Sequence, residues 1–392
     1  MTEVGKKVKA ARKLSGLTQT ELAESSGVSL STIRKLEQGE RDGARMETLR
    51  ALALVLRIPT MSLVAEPSED GPTPGTSELW GPVRAALLRP PHVDGDDEPP
   101  TARGVSDAVA AAVPYYHALR FTDLAAVLPG LINDAEALGS KGRSERLRVL
   151  QLAAGALTHT RQFDLAEIVL RRAMDDAADR MTTSATVNSL CWLLMRQGRL
   201  DEALKTASHW ADELEPRISR ATSDELSAWG LLLLNVSAAA VRNNQPGVAS
   251  DALKFASSAA TALARDVRPT QEQMRTFGPI LVRMKTVEDV LVRDRPDRAL
   301  RLARTLGKTA PRSAVLPSAS VRARHGLSVA SAYARLGQYT EAFGKLSAVQ
   351  ASSPEWFPNQ TLARDVLRSV VDGRRKLTPE MRTMAGTLQL LV

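Results

Sequence analysis

The chain has one cysteine, Cys191, in 392 residues. No intramolecular disulfide can form, so packing has to supply the stability, and a reducing compartment, the cytoplasm, is the expected setting. The five histidines, His92, His117, His159, His209 and His325, are scattered. None forms a pair at helical spacing and no second thiol exists, so no metal site or cofactor is expected. A glycine-rich phosphate loop and the GxSxG elbow of hydrolases are also missing. Carboxylates such as Asp175 and Asp176 stand close to Arg171 and Arg172, which is ordinary pairing on a helix surface. With no catalytic constellation, an enzyme is not expected. The longest apolar run, LLLLNVSAAAV from Leu231, falls short of the roughly 18 residues that span a bilayer and reads as a buried core helix. The lysine-rich amino terminus is followed by no apolar run of the kind a secretion signal needs. Aromatics make up 4% of the chain, and no alternating apolar pattern marks a strand. The expectation is an all-α protein of closely packed helices.

What the chain does have is positive charge. The formal net charge is +8, which suits a polyanionic partner. Residues 1–66 carry a net of +3, residues 67–105 a net of −4, and residues 106–392 a net of +9. Most of the excess therefore lies far from the stretch that speaks most directly to function.

That stretch is residues 14–40, LSGLTQTELAESSGVSLSTIRKLEQGE. Thr18 with Glu21 three residues on is a capping box opening a helix, and Gly27 ends it. Ser29 caps a second helix that runs to about Gln38, with Gly39 as its stop. Leu22, Ala23, Val28, Ile33 and Leu36 pack the two helices together. This leaves Leu30, Ser31, Arg34 and Lys35 facing outward. A helix fits the major groove of B-DNA, where base edges carry a readable code. Leu30, Ser31 and Arg34 suit base edges, and Lys35 suits a base or a phosphate. Gln19 and Thr32, with Arg41 and Arg45 in the loop beyond, suit phosphate oxygens; Thr20 and Ser29 complete the candidate set. An ordinary solvated helical corner is the alternative reading of the same spacing. The preceding helix, about Val4 to Ser15, places Val8, Ala11 and Leu14 inward, and Lys6, Lys7, Lys9, Arg12 and Lys13 are expected outward.

Residues 4–65 resemble the Cro/cI-type helix-turn-helix family, the xenobiotic-response-element regulators. The resemblance rests on Gln19, Leu22-Ala23, Gly27, Ile33 and the Leu36-Glu37-Gln38-Gly39 close, followed by a helix from Met46 to Leu56. It implies a five-helix, lambda-repressor-like domain over residues 1–66, with a last helix from about Thr60 to Ala65. It also implies that Gln19 contacts phosphate and that Ser29 to Lys35 read the groove. Leu30 departs from the polar residue common at the first reading position and predicts an apolar contact, such as one to a thymine methyl.

Residues 67–105 hold eight prolines and most of the acidic excess, and read as a linker with a short helix around Trp80. From residue 106 to 392, helices recur in pairs. Aligned on a small residue late in each unit, the pairs place Ala166, Ala203, Ala249, Ala299 and Ala342 in register, at separations of 37, 46, 50 and 43 residues. The units resemble tetratricopeptide repeats, whose pattern is about 34 residues long. That resemblance implies an α-solenoid with a groove lined by the first helix of each unit. Arg148, Gln151, Asn188, Trp192, Asn235 and Arg324 are the candidate ligand residues, Asn amides matching a peptide backbone. The alternative is that these amides satisfy groups of the protein itself.

Together the modules resemble the peptide-sensing regulators of Gram-positive bacteria and actinobacterial regulators of the same layout. The resemblance implies a sequence-specific, nucleoid-associated transcriptional regulator that binds double-stranded DNA. One reader of this size binds few phosphates and few bases, so a homodimer on a near-palindromic operator is expected, held mainly by the helical-repeat domain of residues 106–392. Its helical repeats sense a peptide or small-molecule effector, with no membrane involved. A helical-repeat interaction scaffold with an accessory DNA-binding domain is the competing expectation.

Overall fold

The computed structural model describes residues 3–40, 44–58, 60, 63, 76–88, 99–267, 276–309 and 315–390. Among them every regular element is helical, apart from a single antiparallel bridge between Val267 and Phe277. Two compact units result. One joins Met1–Gly71 with Ala330–Ala348 and Gln360–Val392, and the other comprises Pro72–Val329 with Val349–Asn359.

The amino-terminal helices start and stop where local chemistry puts them. They are α1 (Glu3–Leu14), α2 (Gln19–Ser26), α3 (Leu30–Gln38) and α4 (Met46–Leu56). The Thr18 hydroxyl accepts from the Glu21 N–H at 3.1 Å, and the Glu21 carboxylate accepts from the Thr18 N–H at 2.7 Å. This reciprocal pair satisfies two otherwise orphaned donors. Gly27 ends α2 in the left-handed region. Ser29 caps α3 by accepting from the Thr32 N–H at 3.2 Å. Val8, Ala11, Leu22, Ile33, Leu36, Leu49, Leu52 and Leu56 make one core. The expected fifth helix lies outside the described residues except at Thr60 and Leu63, and Leu63 is fully buried in that core.

In the other unit, Trp80 is fully buried and the helix Gly81–Leu88 lays Val83 and Leu87 inward against Phe121–Ala137. Helical hairpins follow. Ala102–His117 pairs with Phe121–Ala137, Arg143–His159 with Phe163–Asp176, Arg180–Arg196 with Leu200–Glu213, Ser223–Arg242 with Pro246–Leu263, and Pro279–Val292 with Pro296–Thr309. Ala319–Arg335 with Tyr339–Ser352 repeats the pattern, with residues 330–348 belonging to the first unit, and Thr361–Gly373 and Pro379–Thr387, also of the first unit, end the chain.

Each of these paired helices is joined by a three-residue turn whose middle residue is left-handed. Those residues are Leu119, Arg161, Gly198, Asn244, Asp294 and Gly337. The next N–H reaches back five residues to a carbonyl of the first helix in every case, as from Arg199 to Leu194 at 2.9 Å and from Gln245 to Ala240 at 2.8 Å. This bond closes the helix end and reverses the chain. The fourth residue of each second helix then falls in the seam: Leu124, Ala166, Ala203, Ala249, Ala299 and Ala342 are at most 1% exposed. A small side chain is favoured there because the two backbones approach closely.

A Cβ on Gly198 meets nothing within 4 Å, yet the residue has φ +76°. Gly198→Ala is therefore expected to cost about 1–2 kcal/mol through backbone conformation alone. Urea unfolding should show a lower midpoint and an unchanged slope.

The helix Ser223–Arg242 is buried without a break from Leu226 to Val241, as expected for one that is apolar all round. Its Gly230 leaves room for Phe277, whose ring would lie 2.0 Å from an added Cβ. Cys191, fully buried, packs in the same core with Val187, Trp229 and Leu281. Among the described residues no helix is long and apolar enough to cross a membrane.

Candidate nucleic-acid interface

α3 divides into two faces. Ile33, Leu36 and Glu37 are buried, while Ser31, Arg34, Lys35 and Gln38 are exposed and Leu30 and Thr32 half-buried. At its start the hydroxyls are tied together, Ser29 to Ser31 at 3.1 Å and Ser29 to Thr32 at 2.8 Å. The mesh fixes the amino end of the helix and leaves the Arg34 and Lys35 side chains projecting one turn later. Thr20 is exposed in the first turn of α2, and Arg45 is exposed just before α4. Arg41 lies outside the described residues.

The orientation of α3 is set from beneath by a polar brace. Glu37 is 3% exposed. Its carboxylate accepts from Arg12 Nε at 2.7 Å, from Arg12 Nη2 at 2.9 Å and from Gln19 Nε2 at 2.8 Å. Arg12 Nη1 also donates to the Leu17 carbonyl at 2.8 Å. One acid thus ties α1, the start of α2 and α3 together, and it holds the Gln19 amide in a single pose at the amino end of α2. A two-point guanidinium–carboxylate pair of this kind is both strong and directional. Sequence reasoning missed both partners. The available signal was an acid on the inward side of α3, next to Leu36, which needs a cation when buried.

α1 corrects another expectation. Lys7 and Lys13 are buried, and Arg12 turns inward to Glu37, whereas all three were expected outward. The helical period alone assigns one buried face, but α1 buries two.

The candidate ligand residues of the hairpins meet one another and their neighbours. Asn235 Nδ2 donates to Asn188 Oδ1 at 2.6 Å, and Gln151 Nε2 donates to the Thr186 hydroxyl at 2.9 Å. Arg148 donates to the Ser106 hydroxyl at 2.9 Å. Trp192 stands edge-on to His159 at 4.6 Å, and His159 Nδ1 accepts from Trp356 Nε1 at 3.0 Å. Arg324 joins Arg242 and Lys285 on Glu288, at 3.2, 2.5 and 2.9 Å. Burial by itself would raise the Glu288 pKa, but the charges of Lys285, Arg324 and Arg242 outweigh it and hold the carboxyl well below its ordinary value of 4.5.

A capped two-helix corner with a polar outward face and a locked inner face defines a class. Residues 8–63 match the helix-turn-helix family, and this part of the chain is a helix-turn-helix domain. A curated relative is the uncharacterized HTH-type transcriptional regulator RghRB of Bacillus subtilis (strain 168), 37% identical over 65 residues. The match covers 17% of this chain and 47% of that protein, so the chain spans about half the relative's length. A solved structure, Bacillus thuringiensis PlcR in complex with the peptide PapR7 and DNA, matches at TM-score 0.36 and 12% identity. That match covers 78% of this chain and 96% of PlcR; the likeness is too distant to carry residue roles across.

Proposed function

We propose that the chain is a sequence-specific DNA-binding transcriptional regulator whose α3 reads the major groove. The observation that carries this reading is that Ser31, Arg34 and Lys35 stand exposed on a helix locked from behind by Glu37 and Arg12. Arg34, one turn into the helix, has the reach and donor pattern for a guanine edge. Gln19, Thr20, Ser29, Thr32, Lys35, Arg41 and Arg45 serve phosphates and the flanks of the site, and Leu30 supplies an apolar contact. One such domain touches few base pairs, so the working unit is a homodimer on a near-palindromic operator.

Genome-wide mapping followed by footprinting of one site tests the proposal. Arg34→Ala is expected to weaken that site by about 1–3 kcal/mol and to relax specificity at one position, while Lys35→Ala mainly makes the salt dependence shallower. Unchanged operator affinity in Arg34→Ala would remove the reading. Light scattering on the full chain tests the dimer.

The hairpins form the sensing part, for a peptide or small molecule. In support, Gln151, Asn188 and Asn235 lie on successive first helices, each bonded to a neighbouring one. A ligand backbone meeting Asn235 Oδ1 and Asn188 Nδ2, the atoms their mutual bond does not use, would alter the coupling between adjacent hairpins. It shifts the protein only as far as it prefers one arrangement over another.

A further inference from the structure

The helix Thr361–Gly373 leaves its last carbonyls without partners inside the helix, as every helix does. Lys13 of α1 supplies them. Its ammonium, on a residue 8% exposed, donates to the carbonyls of Val371 at 2.7 Å, Asp372 at 3.0 Å and Arg374 at 2.6 Å. A cation there also meets the negative end of the helix dipole. Three residues later the chain makes a second contact. Gly16 packs on Arg382 of the helix Pro379–Thr387, and a Cβ built on Gly16 would lie 3.0 Å from the guanidinium carbon.

Arg382 is itself exposed, with Nη2 donating to the Leu377 carbonyl at 3.1 Å. Arg375 and Lys376 are exposed on the connecting segment. Of the carboxylates close by, Asp372 lies in the field of Lys13, Arg368, Lys9 and Lys6, and Glu380 accepts from Thr378. Gly16 precedes Gln19 by three residues, a span of at most about 11 Å. The Arg382 guanidinium therefore lies within about 15 Å of Gln19 at the amino end of α2, where the proposed complex places a phosphate.

We infer that residues 374–387 belong to the DNA interface. Arg382, with Arg375 and Lys376 beside it, contacts the duplex backbone next to the phosphate held at Gln19, and Lys13 is the positioning residue that keeps this segment on α1. The inference rests on the DNA-reading function proposed above. It gives part of the basic excess of residues 106–392 a place in that function.

The test is the slope of log affinity against log salt for the full chain on its footprinted operator. Each phosphate contact contributes about 0.9 to that slope on B-DNA. Arg382→Ala is expected to make the slope shallower by about that amount and to weaken matched and mismatched sites alike, and Arg382→Lys to restore it. Lys13→Met is expected to make the slope shallower too, although Arg375, Lys376 and Arg382 remain, and Lys13→Arg, which still donates to carbonyls, to retain it. A folded Arg382→Ala protein with an unchanged slope overturns the inference. If Arg34→Ala loses operator discrimination in the same assay while Arg382→Ala is silent, this inference falls and the regulator reading stands. If the wild-type chain binds no duplex, both fall.

Discussion

Glu37→Ala is expected to destabilise the helix-turn-helix domain by about 3–5 kcal/mol, the cost of breaking a buried ion pair and leaving one charge behind. The charge left behind is Arg12, whose side chain is 11% exposed and makes both of its short carboxylate bonds to Glu37. Gln19 loses its acceptor in the same substitution. Against a typical domain stability of about 5–15 kcal/mol, the loss is a large share of the total. Hydrogen exchange should show α1, α2 and α3 opening together, while the hairpins from residue 102 to 309 keep their protection. Operator affinity should fall in proportion to the unfolded fraction. The decisive control is the double variant Arg12→Met with Glu37→Met. If the single variant suffers because a charge is stranded, the double variant is the more stable of the two. If both are equally unstable, the brace acts through shape alone.

The second large effect is expected at Glu288. This carboxylate, 7% exposed, gathers Arg242, Lys285 and Arg324 from three helices. Glu288→Gln keeps its shape and removes its charge. The three cations then face one another, but each side chain is 23–32% exposed and keeps access to water. The expected cost is about 3 kcal/mol, the low end of the range for a broken buried pair. A pH dependence follows. The folded-state pKa of Glu288 is depressed, so the unfolded chain takes up the proton first. Its contribution is fully present above about pH 4.5 and is lost as the pH falls through the lower folded value. Wild-type stability should therefore decline below pH 4.5 more steeply than that of Glu288→Gln. Parallel acid-unfolding curves would refute the assignment.

Local chemistry made much of this architecture readable. The capping box at Thr18 and Glu21, the stop at Gly27 and the cap at Ser29 are interactions within three residues, and they appear where the spacing puts them. The hairpin register was also legible from the second pair onward, because five of the six seams take an alanine at a constant offset, while the first takes Leu124. The first two turns were harder to read. Leu119 and Arg161 occupy the left-handed position that glycine marks at 198 and 337, so tertiary packing holds a conformation those side chains do not favour. Long-range pairing was not legible at all. Arg12 and Glu37 are 25 residues apart, Asn188 and Asn235 47 apart, and Lys13 meets a carbonyl 358 positions away. Periodicity says which face is buried and not what it is buried against.

The constant three-residue turns have a consequence for how such a chain can change in length. One residue added at residues 197–199 would rotate Leu200–Glu213 by about 100° about its axis, given 3.6 residues per turn, and swing Ala203 out of the seam. The connections between pairs carry no such constraint: three residues separate Asp176 from Arg180, nine separate Glu213 from Ser223, and fifteen separate Leu263 from Pro279. A change of length is therefore excluded from the turn itself, and the uneven spacing of the units is carried by the connections between pairs and by the helices, which run from 14 residues in Pro279–Val292 to 20 in Ser223–Arg242.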